Sequence, residues 1–182
     1  MTRTTTALQP NQPLPALSLT DIHGKPLHAP TGRKLLVSLF REASCPFCNI
    51  RVFELTQHHR KLKSLNLDIV AVFQSSEADV KRFIARQPRP FRSVADPGGK
   101  MHRQLGGQNS LMGKMKAMML RVPGMMRGLS MVGLVGMKSG NAMPVDILVD
   151  EFGRVVTAYY GRDAGDHIPV SQILAFALRE PG

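Results

Sequence analysis

The feature that most constrains the fold is a pair of closely spaced cysteines that directly follows a short apolar segment. Residues Lys34–Phe40 (KLLVSLF) have the length and composition of a buried β-strand and are bounded by polar residues. The tetrapeptide C-P-F-C follows at residues 45–48, and its proline suits the first turn of a helix, where a missing N–H leaves nothing unpaired. We therefore predict a strand, a cysteine motif at a helix start, and a helix reaching about Leu62.

Apolar periodicity along the rest of the chain predicts an α/β fold. A β-α-β unit requires parallel strands joined by a helical crossover, whereas a β-β-α unit is antiparallel, and the pattern contains both. We therefore expect a central mixed sheet flanked by helices. The further predicted elements are a hairpin of Ala16–Leu19 and Lys25–His28, strands at Leu67–Phe73, Phe91–Ala95, Val145–Val149 and Val155–Tyr160, and helices at Glu77–Arg86, Leu111–Val122 and Ile168–Arg179.

Length and composition indicate one globular domain. The chain has 182 residues, of which 43% are hydrophobic, and a domain of this size buries a core without disulfide staples. We expect a flexible arm at residues 1–12 and a single domain at 13–182, with an insertion at about 104–140. The first residues contain no secretory apolar segment, and no run of about 18 apolar residues predicts a membrane span. A reducing cytoplasm is therefore the expected location, with no membrane partner.

The net charge of +11 is unevenly distributed along the chain. From Pro97 to Val145 there are seven lysines and arginines, no aspartate or glutamate, and no phenylalanine, tyrosine or tryptophan. A basic segment can bind nucleic acid, but proteins that bind single strands interleave aromatic residues with the basic ones. Nucleic acid is therefore not favoured, and a basic face that attracts acidic partners or anions is the simpler interpretation.

Ten of the eleven methionines lie between Met101 and Met143. Within this segment Leu111–Val122 has its apolar residues at helical spacing, and Pro123-Gly124 interrupts the pattern before Met125–Met131. Methionine is flexible and common at adaptable binding surfaces, so a lid or docking helix over the cysteines is one hypothesis. The helical spacing favours the alternative, in which the methionine face packs into the core.

The cysteine motif has the arrangement needed for thiol–disulfide exchange. The reactive species is the thiolate, which the unpaired N–H groups and dipole at a helix start stabilise, so Cys45 is the candidate nucleophile. Cys48 lies one turn later and is the candidate resolving thiol. Arg41 would add positive charge near the motif and Glu42 would oppose it.

Two other interpretations of the cysteines remain. They could be inert buried thiols, since free cysteine is often buried. They could also bind zinc, but one C-x-x-C supplies two of four ligands, and His58 and His59 would lie roughly 15 Å from Cys48 along a helix that rises about 1.5 Å per residue. No metal site and no cofactor are therefore predicted. The other histidines (His23, His28, His102, His167) are given no role, and turn or edge positions are expected for Asp146 and Asp150.

The C-P-F-C motif after an apolar strand resembles the thioredoxin superfamily. The opening segment and the C-terminal half resemble the peroxiredoxin-like branch of the alkyl hydroperoxide reductase/thiol-specific antioxidant family. The residues that carry this second resemblance are Pro13–Leu19 and Gly24-Lys25-Pro26, then Met143–Asp150, Gly153, Tyr160-Gly161 and Gly165-Asp166-His167. The resemblance implies a thioredoxin-like fold for residues 13–180.

The resemblance also implies how a substrate would bind. It implies a cis bond before Pro144, facing Cys45, so that Met143 presents its backbone to an extended substrate; a trans proline that starts an edge strand is the alternative. Pro46 and Phe47 complete the expected substrate-binding residues. Peroxide or disulfide substrates and a thioredoxin or glutathione reductant are expected, and homodimerisation is left open.

One departure from the family pattern concerns peroxide chemistry. Typical peroxiredoxins carry Pro-x-x-x-Thr-x-x-Cys around the reactive thiol, and the first and fifth positions correspond to Ser38 and Glu42 in this chain. The hydroxyl that would orient a peroxide is missing, which favours dithiol–disulfide exchange at an open site. The alternative function is a non-catalytic redox sensor or adaptor that binds partners through the basic, methionine-rich segment.

Overall fold

The computed structural model describes residues 7–86, 89–133 and 140–180. Its secondary structure follows the predicted order, with an additional short helix before the methionine-rich segment. The elements are β1 (Leu17–Thr20), β2 (Pro26–Ala29), β3 (Lys34–Phe40), α1 (Pro46–Ser64), β4 (Leu67–Phe73), α2 (Glu77–Asp79), β5 (Arg92–Ala95), α3 (Lys100–Gln104), α4 (Leu111–Leu120), α5 (Val122–Val132), β6 (Val145–Val149), β7 (Val155–Tyr160) and α6 (Val170–Ala177).

A five-stranded mixed sheet forms the centre of the molecule, in the order β5-β4-β3-β6-β7. The strand before the cysteines, β3, is central and pairs parallel with β4 and antiparallel with β6. Val37, in the middle of β3, stands opposite Val70 on one side and Ile147 on the other. The predicted α/β fold class, with its mixed sheet, is confirmed.

Both faces of the sheet are buried, so β3 is apolar throughout rather than alternating. On one face, Leu36 and Phe40 pack with residues of α1, such as Val52 and Leu55. On the other face, Leu35, Val37 and Leu39 pack with Leu17, Leu27 and Met101. Leu8, Leu14 and Leu105 complete this second core, which the hairpin and α3 help to cover. These two cores hold the C-terminal end of β3, where the cysteines follow.

Two local predictions differ from the structure. The hairpin strands begin one residue later than predicted, because the Asp21 carboxylate accepts hydrogen bonds from the backbone N–H groups of His23 and Lys25 and closes the turn there. The predicted helix Glu77–Arg86 is α-helical over α2 and continues as a π-helical turn, Val80–Ile84. The wider turn places Val80 and Ile84 in the core.

The methionine-rich segment forms two helices, α4 and α5, that meet at Arg121. Pro123 lies in the first turn of α5, where a proline is compatible with a new helix. The interpretation that the methionine face of α4 packs into the core is wrong. Gly113 and Ala117 face the protein body, while Met112, Met115 and Met119 are 79%, 55% and 74% exposed.

No helix in the described part of the chain is long and apolar enough to cross a membrane.

Candidate redox site

Cys45 occupies the N-cap position of α1, as the sequence predicts. Its backbone is extended (φ −66°, ψ 126°), and its carbonyl accepts the N–H of Asn49 at 3.1 Å, which starts the helix. The Asn49 side chain also donates to the carbonyl of Ala43 at 2.7 Å. The loop between β3 and α1 is thereby fixed, and the Cys45 sulfur points to the positive end of the helix.

The environment of Cys45 favours its thiolate. A hydrogen bond from the Cys48 thiol contributes most to lowering the pKa of Cys45, to about 6; burial opposes this, and the charge of Arg41 supports it. The Arg41 guanidinium lies 3.8 Å from the Cys45 sulfur. The backbone N–H groups of Phe47 and Cys48 lower the pKa of Cys45 further. The predicted influence of Arg41 is therefore present.

Cys48 is perturbed in the opposite direction. Burial, the hydrogen bond that its thiol donates to Cys45, and the adjacent negative charge of Cys45 raise the pKa of Cys48 well above its usual value. One sulfur is thus a thiolate and the other a protonated donor in contact with it. These are the states required of an attacking and a resolving thiol.

Glu42 is hydrogen-bonded to a segment that is far away in sequence. Its carboxylate accepts the backbone N–H of Gly140 at 2.6 Å, and a guanidinium N–H of Arg41 donates to the Gly140 carbonyl. Two residues that precede the motif therefore hold the chain just beyond the methionine-rich helices.

The dithiol is closed to solvent, contrary to the open site expected from the sequence. Cys45 and Cys48 are both 0% exposed. Helix α5 lies over the motif so closely that a Cβ on Gly128 would be 2.5 Å from the carbonyl oxygen of Pro46. Helix α5 therefore packs directly on a residue that stands between the two cysteines.

The other predicted substrate-binding residues are also enclosed. Phe47 is 8% exposed and lies against Gly165, where a Cβ would be 3.1 Å from its ring. A cleft of about 460 Å³ opens beside this ring. Its other lining residues include Ile50, Arg51, Glu54, Arg121, Gly124 and His167.

The expected cis bond before Pro144 is wrong: this bond is trans, and the cis bond among the described residues precedes Pro30. Met143 donates its N–H to the Gln108 carbonyl at 2.8 Å and is 4% exposed. Its sulfur lies under Gly113 of α4, where a Cβ would be 2.7 Å away. Because the loop before α4 takes the Met143 N–H, this group is not available to an extended substrate in the closed structure.

A buried polar cluster next to the motif was missed. Asp146 in β6 is 0% exposed, accepts the Ile168 N–H at 2.9 Å and lies 2.9 Å from the His167 ring nitrogen Nδ1. Ser38 donates its hydroxyl to the same carboxylate. Burial would raise the pKa of Asp146, but His167, Arg51 and Ser38 together lower it to about 2. The position of an aspartate inside the apolar strand VDILV was the available signal.

The residues around Cys45 bear on two further kinds of chemistry, peroxide reduction and metal binding. At the position where typical peroxiredoxins carry threonine, Glu42 has a carboxylate that accepts the Gly140 N–H, so this position offers no hydroxyl to a peroxide at Cys45. Within residues 7–86, 89–133 and 140–180, no group of three or more histidines, cysteines or acidic residues is arranged to hold a metal ion.

Comparisons with known proteins identify the family and the fold of the chain. The sequence model of the redoxin family matches residues 9–126, a span that includes both cysteines. The fold is similar to the crystal structure of peroxidoxin BcpB from Mycobacterium tuberculosis (13% identity, TM-score 0.67, covering 95% of this chain and 99% of that one). It is also similar to a putative thiol:disulfide interchange protein DsbE from Chlorobium tepidum (20% identity, TM-score 0.64, covering 94% and 99%). No curated protein sequence matches significantly.

Proposed function

The chain belongs to the redoxin family and so to a class of thiol oxidoreductases, and from this premise we propose that it is a thiol–disulfide oxidoreductase in which Cys45 attacks and Cys48 resolves. The observation that carries the proposal is the pair of opposite pKa shifts. The pKa of Cys45 is lowered to about 6 at the start of α1, while that of Cys48 is raised. At neutral pH the first sulfur is therefore nucleophilic and the second retains its proton.

The proposed reaction has two exchange steps. The Cys45 thiolate attacks one sulfur of a substrate disulfide, which forms a mixed disulfide and releases the other half as a thiolate. Once Cys45 is no longer an anion, the charge that raised the pKa of Cys48 is gone. Cys48 then gives its proton to the medium, attacks the Cys45 sulfur, and releases the second half of the substrate. An external dithiol or glutathione-type thiol reduces the resulting disulfide.

A disulfide is the favoured substrate over a peroxide. Peroxide reduction by Cys45 would form a sulfenic acid, which Cys48 would convert to the same disulfide with loss of water. Arg41 is a donor beside the sulfur, but the position at which typical peroxiredoxins carry a threonine hydroxyl holds Glu42, whose carboxylate accepts the Gly140 N–H. We therefore expect disulfide exchange to be faster than peroxide reduction, and an antioxidant role to be secondary.

A substrate can reach the cysteines only after the enclosed motif opens. Because both sulfurs are inaccessible, a transient displacement of α5 precedes attack, and the cleft beside Phe47 is where a substrate would first bind. The position of Pro46 and Phe47 between the cysteines and under α5 supports the substrate-binding role that we propose for them. A reducing compartment such as the cytoplasm would keep both thiols reduced and ready.

The test is turnover together with the state of the thiols. We expect reduction of insulin or a small disulfide with dithiothreitol as electron source, loss of this activity in Cys45→Ser, and a trapped mixed disulfide in Cys48→Ser. Thiolate absorbance should titrate near pH 6 in the wild-type protein. A titration near the ordinary thiol pKa of about 8.5, with no turnover, would remove the basis of the proposal.

A second candidate function is a redox sensor, which the complete burial of both thiols favours. In that case oxidation of the dithiol would displace α5 and change partner binding without turnover. Partner binding that changes on oxidation, in a protein that lacks disulfide reductase activity, would establish the sensor in place of the enzyme.

A further inference from the structure

Helix α4 presents large apolar side chains to solvent and its small residues to the protein. Gly113 and Ala117 form its buried side. A Cβ on Gly113 would lie 3.0 Å from the Arg162 carbonyl oxygen, so small residues allow this close approach. The exposed side, called here the α4 face, consists of Leu111, Met112, Met115, Met119 and Leu120, which are between 55% and 79% exposed.

Such a face is unusual for a protein surface in water. Isolated exposed apolar residues are normal, but a contiguous apolar patch marks a surface that contacts another molecule. The α4 face continues onto α5 through Val122 and Met126, which are 44% and 61% exposed. Both helices therefore expose apolar side chains, while Gly128 of α5 packs on Pro46.

The charged side chains of α4 itself have one sign, while Asp163 and Asp166 pair with Arg121 where α4 meets α5. Lys116 is exposed within the face and Lys114 lies at its edge, whereas the Arg127 guanidinium of α5 lies over the Phe53 ring of α1. No aspartate or glutamate occurs from Pro97 to Val145. A surface that complements this face is therefore both apolar and negatively charged.

We propose that the α4 face docks on the surface of an anionic lipid bilayer, with α4 lying in the plane of the interface. Methionine and leucine side chains would enter the boundary between headgroups and acyl chains, while the lysines reach the lipid phosphates. A lipid surface is favoured over a protein because the face carries neither the aromatic anchors nor the hydrogen-bonding groups of a specific protein interface. The sequence analysis expected no membrane partner because it found no membrane-spanning segment. Docking on the surface of a bilayer does not need such a segment.

The experiment is co-sedimentation of the full-length protein with vesicles. We expect binding to vesicles of equal parts phosphatidylcholine and phosphatidylglycerol, weaker binding to phosphatidylcholine alone, and a loss of affinity between about 0.1 M and about 1 M salt. Met112→Gln/Met119→Gln should reduce binding by at least about ten-fold. Lys116→Glu should reduce it by about five-fold or more.

Matched controls lie elsewhere on the surface. Phe152→Gln and Leu178→Gln remove apolar residues that are 66% and 62% exposed, and Lys25→Glu makes the same charge change as Lys116→Glu. These variants should retain wild-type vesicle binding after correction for net charge. The proposal is overturned if phosphatidylglycerol vesicles do not bind, or if binding survives Met112→Gln/Met119→Gln. Self-association that this double variant abolishes, without vesicle binding, would overturn it in favour of a second copy. Thiol activity is not part of the readout, so this result is independent of the proposed reaction.

Discussion

The close contact between Gly128 and Pro46 allows one substitution, Gly128→Ala, to test whether docked α5 closes the dithiol. In Gly128→Ala the new Cβ would stand 2.5 Å from both the Pro46 carbonyl oxygen and its Cβ. Two of the three nearest atoms belong to the Pro46 backbone, so no side-chain rotation relieves the overlap. Ordinary contact starts at 3.4 Å, and α5 would therefore have to withdraw by about 0.9 Å or leave the motif.

The magnitude follows from the cost of overpacking. Forcing a methyl group into a filled space costs about 1–3 kcal/mol, and here that cost falls only on the state in which α5 is docked. A destabilisation of this size raises the ratio of undocked to docked molecules by about 5- to 150-fold. When docking is fast relative to chemistry, alkylation of Cys45 accelerates by the same factor.

The assay is the rate of iodoacetamide alkylation at neutral pH, read by mass spectrometry, with circular dichroism to show that the variant is folded. Gly124→Ala is the matched control in the same helix, because its Cβ would be 3.9 Å from Ile50 and Phe47 and fits without displacement. Both substitutions gain the same helix propensity. If Cys45 of folded Gly128→Ala is alkylated at the wild-type rate, or if Gly124→Ala accelerates the alkylation equally, α5 does not control access to the dithiol.

Three further predictions concern ionisation. Arg41→Gln should raise the pKa of Cys45 above about 6, and Cys48→Ala should raise it more, since the Cys48 hydrogen bond is the larger cause; thiolate absorbance against pH checks this order. The pKa of Asp146 is about 2 in the folded protein and about 3.9 in the unfolded chain. Ionised Asp146 should therefore add about 2–3 kcal/mol to the free energy of unfolding above pH 4, and this stabilisation should be lost as the pH falls towards 2. In denaturant unfolding, Asp146→Asn should lower the free energy of unfolding by roughly 3–5 kcal/mol and should remove its decrease between pH 4 and pH 2. If the variant keeps that decrease, Asp146 is not its source. Burial lowers the pKa of His102 to about 4, so the folded state resists its protonation, and stability should fall by roughly 3 kcal/mol from pH 6.5 to pH 4. His102→Phe should abolish this decrease, and persistence of the decrease would assign it to another group.

The arrangement of strand, cysteine motif and helix was predictable because each part is encoded locally. A short apolar run specifies the buried strand β3, Pro46 specifies a helix start, and the spacing of Cys45 and Cys48 places both sulfurs on one side of the first turn. The position of Arg41 next to the motif followed from adjacency in sequence. The division into an arm at 1–12 and a domain at 13–182 stays a prediction, because residues 1–6 lie outside the described chain.

Other features of the site depend on residues that are far apart in sequence. Gly128 meets Pro46 across 82 positions of the chain, and this contact converts an expected open site into a closed one. The cluster around Asp146 joins β3, β6 and the segment before α6, and a single apolar strand pattern does not reveal such a partner set. Spacing alone could not orient α4, because a methionine face and a glycine–alanine face are both compatible with helical periodicity.

Local sequence was sufficient to predict the mixed sheet, most of its elements in order and a thiol at a helix start. These follow from local propensity, apolar period and the intrinsic reactivity of a thiol at a helix start. Long-range packing set the position of α5 on Pro46, the hydrogen bond of the Met143 N–H within its own chain and the outward direction of the methionines of α4. The reason is physical: burial is a property of which surfaces meet, and close approach at Gly113 and Gly128 depends on atoms that the local sequence does not contain.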